Sequence, residues 1–184
     1  MWRGSIGEVI YHHWSRFRCH ADSYQMILGN QSLYRSIISL MLVYGYGQCS
    51  YLRLINTASQ VHCALIMGKS RVSPLKQFTV PRLELTAATV SAKVSHMLQE
   101  ELDYQEATNI FWTDSKAVLG YIGNDARQFH TFVANRVQLI RDLSDVNQWQ
   151  YIELDKNPAD EASRGLHCHN ISSNHHWFIG PDFL

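Results

Sequence analysis

The chain has no excess of charge of either sign. Sixteen Lys plus Arg balance sixteen Asp plus Glu, for a formal net charge of zero. No global field therefore draws a polyanion in, and any nucleic-acid binding must come from a local cationic patch. Long apolar runs are also lacking. The best candidate, Ile37 to Tyr46, is interrupted by Ser39 and Gly45 and falls well short of the roughly 20 residues that cross a bilayer. Met1 to Trp14 has no apolar centre of the kind a secretion signal needs. No membrane partner is expected, and the chain reads as intracellular. Cysteine is sparse: Cys19, Cys49, Cys63 and Cys168 are scattered without paired spacing, as reduced thiols are and a disulfide frame is not. The histidines near Cys19 and Cys168 lack the paired spacing of a zinc finger. Neither an internal repeat nor a low-complexity linker is present.

What is there is an ordinary core-forming composition, 46% apolar and 17% charged over 184 residues, enough for one domain and an extension. Met1 to Ser36 shows no sustained period and reads as an ill-defined N-terminal extension. Ile37 to Val43 is almost wholly apolar, as a central strand is. A glycine-rich step at Gly45 and Gly47 follows, then strand-like runs over Gln48 to Ile55 and Val61 to Lys69, with a polar turn over Asn56 to Gln60 between them. Three strands with short connections predict an antiparallel meander. Val80 opens the best helix, with Thr79 as a possible cap and Pro81 in the first turn. Its apolar positions Leu83, Ala87, Val90, Val94, Met97 and Leu98 continue to about Leu102. Glu84 is expected in that first turn. A second helix is expected over Phe129 to Leu143, with Arg136 and Arg141 able to reach solvent. Trp149 to Leu154 is expected as a strand and Asn157 to Gly165 as a short helix. Residues 167–184 read as a tail anchored by Trp177 and Phe178.

The order of elements points to an α/β domain over residues 37–166: a mixed five-stranded sheet, three antiparallel strands then two parallel, with helices on both faces. Its centre is Asn109-Ile-Phe-Trp-Thr-Asp-Ser-Lys-Ala-Val-Leu119. Asn109 to Trp112 is a short buried strand, and Ser115 to Tyr121 is helical with Ala117, Val118 and Tyr121 on one face. Asp114 thus stands at the carboxyl end of a strand, where ligands bind in open α/β sheets. Its blander role, or that of Ser115, is to cap the helix.

Glu84, Asp114 and Asp160 all lie at element ends. Converging carboxylates repel and are tolerated chiefly where a divalent cation neutralises them; hard oxygen ligands suit Mg²⁺ or Mn²⁺. Two readings fail. Gly68-Lys-Ser70 lacks the first glycine of a phosphate-binding loop, since position 63 is Cys, and it runs into a Pro-containing loop. Asp114-Ser-Lys116 lacks the glycine of an aspartic-protease loop and has no second copy.

Gly68-Lys-Ser-Arg-Val-Ser-Pro74, Pro81-Arg-Leu-Glu-Leu85, Phe111-Trp-Thr-Asp-Ser-Lys116, Phe132-Val-Ala-Asn-Arg136, Asn157-Pro-Ala-Asp160 with Ser163-Arg-Gly165, and His176-Trp-Phe-Ile-Gly-Pro-Asp182 resemble, in that order, the ribonuclease H-like region of BEL/Pao-type retrotransposon polyproteins. The resemblance runs from about Gly45 to the end. It implies a ribonuclease H-like fold, a reverse transcriptase within the same ancestral polyprotein, and carboxylates that hold two Mg²⁺ (or Mn²⁺) ions to cut the RNA strand of an RNA–DNA hybrid. By that resemblance Glu84, Asp114 and Asp160 are the metal-binding and catalytic residues. Lys69, Arg71, Lys76, Arg82, Lys116 and Arg136 are candidate contacts to nucleic-acid phosphates, which position a strand without reading its bases.

The fourth carboxylate has no counterpart. The family places an aspartate on the first strand, in a Phe-Ser-Asp-Ala-Ser context, where this chain has Ser36-Ile-Ile-Ser-Leu-Met-Leu-Val43. The implied activity is therefore impaired, and the alternative is an inert remnant that at most binds nucleic acid. A frameshift explains the loss as a hypothesis: Ile37 to Val43 can be encoded by ATC ATT TCT CTG ATG CTA GTG, and displaced by two bases that choice of codons reads His-Phe-Ser-Asp-Ala-Ser. Sequencing the gene tests it. The displaced frame is expected to encode that motif, and codons that do not would end the hypothesis.

Overall fold

The computed structural model describes residues 34–42, 47–69, 79–104, 106–124, 129–159 and 178–184. Five strands, β1 (Tyr34–Leu42), β2 (Gly47–Ile55), β3 (Val61–Lys69), β4 (Thr108–Thr113) and β5 (Trp149–Tyr151), form one sheet in the order β3-β2-β1-β4-β5. The first three make the expected meander, β1 antiparallel to β2 and β2 to β3. β1 then pairs in parallel with β4, and β4 with β5. The apolar β1 is thus central, paired along its whole length with β2 and over Ser36 to Met41 with β4. Between β2 and β3, the side-chain oxygen of Asn56 accepts from the backbone N–H groups of Ala58 and Gln60, an Asx-type turn that satisfies the reversal locally.

Parallel neighbours need a crossover, and α1 (Val80–Glu101) provides it. Its buried stripe is mostly small, with Ala87, Ala88, Ser91, Ala92 and Ser95 flanked by Leu85, Val94 and Leu98, which lets the helix lie close on the sheet. Thr79 occupies the cap position without a side-chain cap bond. A buried polar chain fixes the far end of α1 to β4. The Ser95 hydroxyl donates to Asn109 Oδ1 (2.8 Å), Asn109 Nδ2 donates to Gln99 Oε1 (2.8 Å), and Gln99 Nε2 donates to the Ala107 carbonyl (2.6 Å). Each buried polar atom in that chain has a partner, as burial demands.

α2 (Lys116–Ile122) and α3 (Thr131–Leu143) pack on the same face as α1. Leu85, Ala88 and Ala92 meet Phe111 of β4, Val118 and Ile122 of α2, and Val137 and Ile140 of α3 in one cluster, and Phe111 stacks on Trp149 at 4.5 Å. Ala117 is exposed, so the buried face of α2 is Val118 and Ile122 rather than one including Ala117. Arg141 is part-exposed, and its guanidinium also donates twice to the Ile122 carbonyl at 3.1 and 2.8 Å, closing the carboxyl end of α2. β5 stops at Tyr151, and Leu154–Lys156 is a 3-10 turn, so the expected strand to Leu154 is shortened.

The other sheet face is covered by chain from the carboxyl end. Cys49, Tyr51, Ile152 and Ala159 form its cluster, with Ile110, Trp112 and Leu184 packed against it. The helix expected there over 157–165 lies beyond the described residues after Ala159. The described anchor of the tail is Gly180 to Leu184, since Trp177 lies outside the described residues and Phe178 is exposed. Arg53 Nε donates to the Leu184 carbonyl, Phe183 meets Trp112 edge-on at 5.3 Å, and Gly180 adopts φ +81°. A Cβ at Gly180 would come within 3.1 Å of Cys63 Sγ and 3.3 Å of Tyr51. Burial there pushes the Cys63 thiol up to about 11.

Two glycine substitutions should therefore act in opposite directions. Gly180→Ala is expected to cost on the order of 1–3 kcal/mol through its left-handed backbone. Gly120→Ala, on an exposed turn of α2 where a Cβ meets nothing within 4 Å, should stabilise by roughly 0.5–1 kcal/mol. Urea denaturation of the two variants beside the parent checks both signs.

Candidate functional site

β4 ends at Thr113, and the chain turns through Asp114 and Ser115 into α2. The turn is held by its own residues. The Ser115 N–H donates to Thr113 Oγ1 (3.1 Å), and the Val118 N–H donates to Ser115 Oγ (3.1 Å). Ser115 is thus the cap of α2, and Asp114 is relieved of that role. A capping serine still has its hydroxyl proton. Here that proton goes to Glu84: Ser115 Oγ donates to Glu84 Oε2 at 2.6 Å, the short distance typical of a hydroxyl bonded to a carboxylate.

This bond ties Glu84 to the residue that follows Asp114. Glu84 is the fifth residue of α1, and no acidic residue occupies the first turn, so the expectation of a first-turn glutamate is corrected by one turn. One helical turn in, its side chain comes from α1 to the carboxyl end of β4, with Asp114 the immediate neighbour of its partner Ser115. Both carboxylates are half-buried. Asp160 lies outside the described residues; just before it, Asn157 is buried and its Oδ1 accepts from the Ala159 N–H at 3.1 Å. Sequence reasoning gave Ser115 only a cap, and the missed signal was that unused proton.

β1 reaches the same sheet end. Leu40 is the partner of Trp112 and Met41 of Thr113, so the last residues of β1 stand level with the step that leads to Asp114. Nothing acidic lies on Tyr34–Leu42.

The expected phosphate contacts divide. Arg71 and Lys76 lie outside the described residues, and Lys69 ends β3. Arg82 is exposed, with its guanidinium 5.2 Å from the centre of the Phe132 ring. Arg136 lies 3.5 Å from that same ring. It donates to Thr86 Oγ1 and to the Phe132 carbonyl, both at 3.2 Å, so, while part-exposed, it also clasps α1 to α3. Phe132 itself is only half-buried. Lys116 is exposed at the start of α2, with Nζ 5.1 Å from the centre of the Tyr151 ring. Arg82 and Arg136 therefore meet at Phe132 on the α1–α3 seam, and Lys116 follows Asp114 by two residues.

Compared with curated proteins, the chain finds no match. Among solved structures it is similar to the N-terminal RNase H domain of a Mycobacterium tuberculosis protein, determined as a fusion with maltose binding protein. Identity is 10%, over 72% of this chain and 96% of that chain, with a TM-score of 0.36. Residues 43–115 match the model of the family described as the Pao retrotransposon-like RNaseH-like domain. The matched stretch begins one residue after β1 and closes on Ser115, so Glu84 and Asp114 lie within it and Asp160 beyond it. Over that stretch, less than half of the chain, the sequence is similar to that family.

Proposed function

We propose that this is a retrotransposon-derived nuclease domain whose hydrolysis of the RNA strand of RNA–DNA hybrids is impaired by an incomplete metal site. The observation that carries the reading is β1. It lies in the middle of the sheet, level with the Asp114 step, and offers Leu40 and Met41 where the family resemblance implies an aspartate. The family match opening at Val43, just after that strand, is what a disrupted first strand would give.

Glu84 and Asp114 are hard oxygen donors of the kind Mg²⁺ or Mn²⁺ takes, and Asp160 is the third donor in this reading. Among the described residues no group of three acidic, His or Cys side chains is placed to hold a metal ion. The set fits the chemistry of such a site and falls short of its number. Bound ions would activate a water and stabilise the leaving oxygen of a phosphodiester. The chain's own part is to hold Glu84 in place through the Ser115 hydroxyl, and to lay a strand along Arg82, Lys116 and Arg136, with Lys69, Arg71 and Lys76 as further contacts. The parent polyprotein's reverse transcriptase is the ancestral partner. A second reading, a remnant that binds hybrids and cuts nothing, follows if two or three carboxylates cannot retain the ions at all.

Cleavage of a labelled RNA–DNA hybrid in Mg²⁺ and in Mn²⁺ separates these. The parent chain is expected to cut slowly, and Asp114→Asn to abolish what remains. Either Leu40→Asp or Met41→Asp should raise the rate by roughly 100-fold or more, since even outer-shell partners of a metal site are worth 10–100-fold. No cleavage by the folded parent, restored by one of these changes, supports the remnant. If both changes leave a folded protein no faster than the parent, the incomplete-site reading is wrong.

A further inference from the structure

Tyr151 is the last residue of β5 and the register partner of Thr113, one position from Asp114. The Ile152 N–H donates to the Thr113 carbonyl at 3.0 Å, so the backbone here is tied to the site. Within the same short strand Trp149 is buried against Phe111, whereas the Tyr151 ring, two residues on, stays 43% exposed. An exposed Tyr offers an amphipathic ring face to whatever passes it. Its described neighbour is a cation: Lys116 Nζ stands 5.1 Å from the ring centre. Lys116 is itself exposed and forms no ion pair with a carboxylate among the described residues. A flat ring and an exposed ammonium are thus held side by side, next to the Asp114 and Ser115 step.

A paired base inside a duplex has both faces covered by its neighbours and cannot stack on a protein ring. An unpaired one can. We propose that Tyr151 and Lys116 form a subsite for one unpaired nucleotide, the base stacked on the Tyr151 ring and its phosphate beside the Lys116 ammonium. Stacking platforms next to cationic side chains are how single strands are held without base readout. The subsite rests on the reading that hybrid backbones pass this end of the sheet. It adds a preference: hybrids with a single-stranded overhang, or a junction, are bound ahead of blunt ones.

The test uses the full chain and two fluorescent hybrids of equal length, one blunt and one with a short overhang carrying 2-aminopurine. Blunt-hybrid binding at low salt examines the parent reading alone. The overhang should tighten binding by roughly fivefold to a hundredfold, the range for one stacked base, and quench the 2-aminopurine. Tyr151→Leu should remove both effects and leave blunt affinity unchanged, while Tyr151→Phe keeps them. Lys116→Gln should weaken overhang binding and reduce its salt dependence by about 0.7 of a unit of slope, one phosphate on a single strand. Equal binding of blunt and overhang hybrids by the parent chain, or an overhang preference that survives Tyr151→Leu, would overturn the subsite while the parent reading stands. No binding of either hybrid would overturn both.

Discussion

Two parallel strands side by side at the centre of a sheet cannot be joined by a hairpin, and the β1–β4 pairing imposes that condition here. The chain must leave β3 and return to the far side of β1, and α1 makes that journey lying on the sheet. Its small stripe permits the close approach, and the Ser95–Asn109–Gln99 chain fixes its carboxyl end over the start of β4. With that end pinned, the opposite end of the helix comes to the opposite end of β4. That is why Glu84, one turn into α1, meets Ser115, two residues past the strand. The carboxylate geometry follows from topology and from the length of the helix, with one hydroxyl to close it.

The fold tolerates what the site does not. Strand pairing uses backbone groups, and a central strand asks of its side chains mainly that they be apolar. Tyr34–Leu42 meets that demand: it pairs on both sides, and Ile37 is fully buried among Leu52, Leu54, Val94 and Leu98. Burial of that one side chain is worth about 1.5–3 kcal/mol, with no reference to where the sequence came from. A metal ligand has no such latitude, because only an oxygen donor at the right level of the strand will serve. A strand can therefore meet the demands of the architecture without meeting those of a metal site.

The same contrast decides how much was legible beforehand. The meander, the crossover helix and the β4 turn were readable because periodicity and turn residues report on backbone state. Boundaries slipped where tertiary contacts rule them: β5 ends at Tyr151 because the chain must bend to bring Ile152 and Ala159 across the other face. Arg136 and Arg141 read only as charges able to reach solvent from an amphipathic helix. They proved to be ties, one to Thr86 and the other to the Ile122 carbonyl, because a guanidinium has donors to spare and nothing in spacing along one helix reports on a neighbouring one. Glu84 and Asp114 were legible as carboxylates near element ends, but the hydrogen bond by which Ser115 ties Glu84 to the turn after β4 needed three dimensions.

Ser115 shows why the relation matters. Its oxygen accepts from the Val118 N–H while its proton is given to Glu84, so both capacities of one hydroxyl are used. Ala at this position would uncap α2 and also leave a half-buried carboxylate without its donor, whereas Asn or Asp could cap but would not present the same hydroxyl. An aspartate in particular would set a negative charge against Glu84. The serine is thus fixed by two demands, the helix's need for an acceptor and the carboxylate's need for a donor. The second has no bearing on whether α2 forms. It concerns the direction in which Glu84 points, and hence whether the end of the sheet presents a site at all.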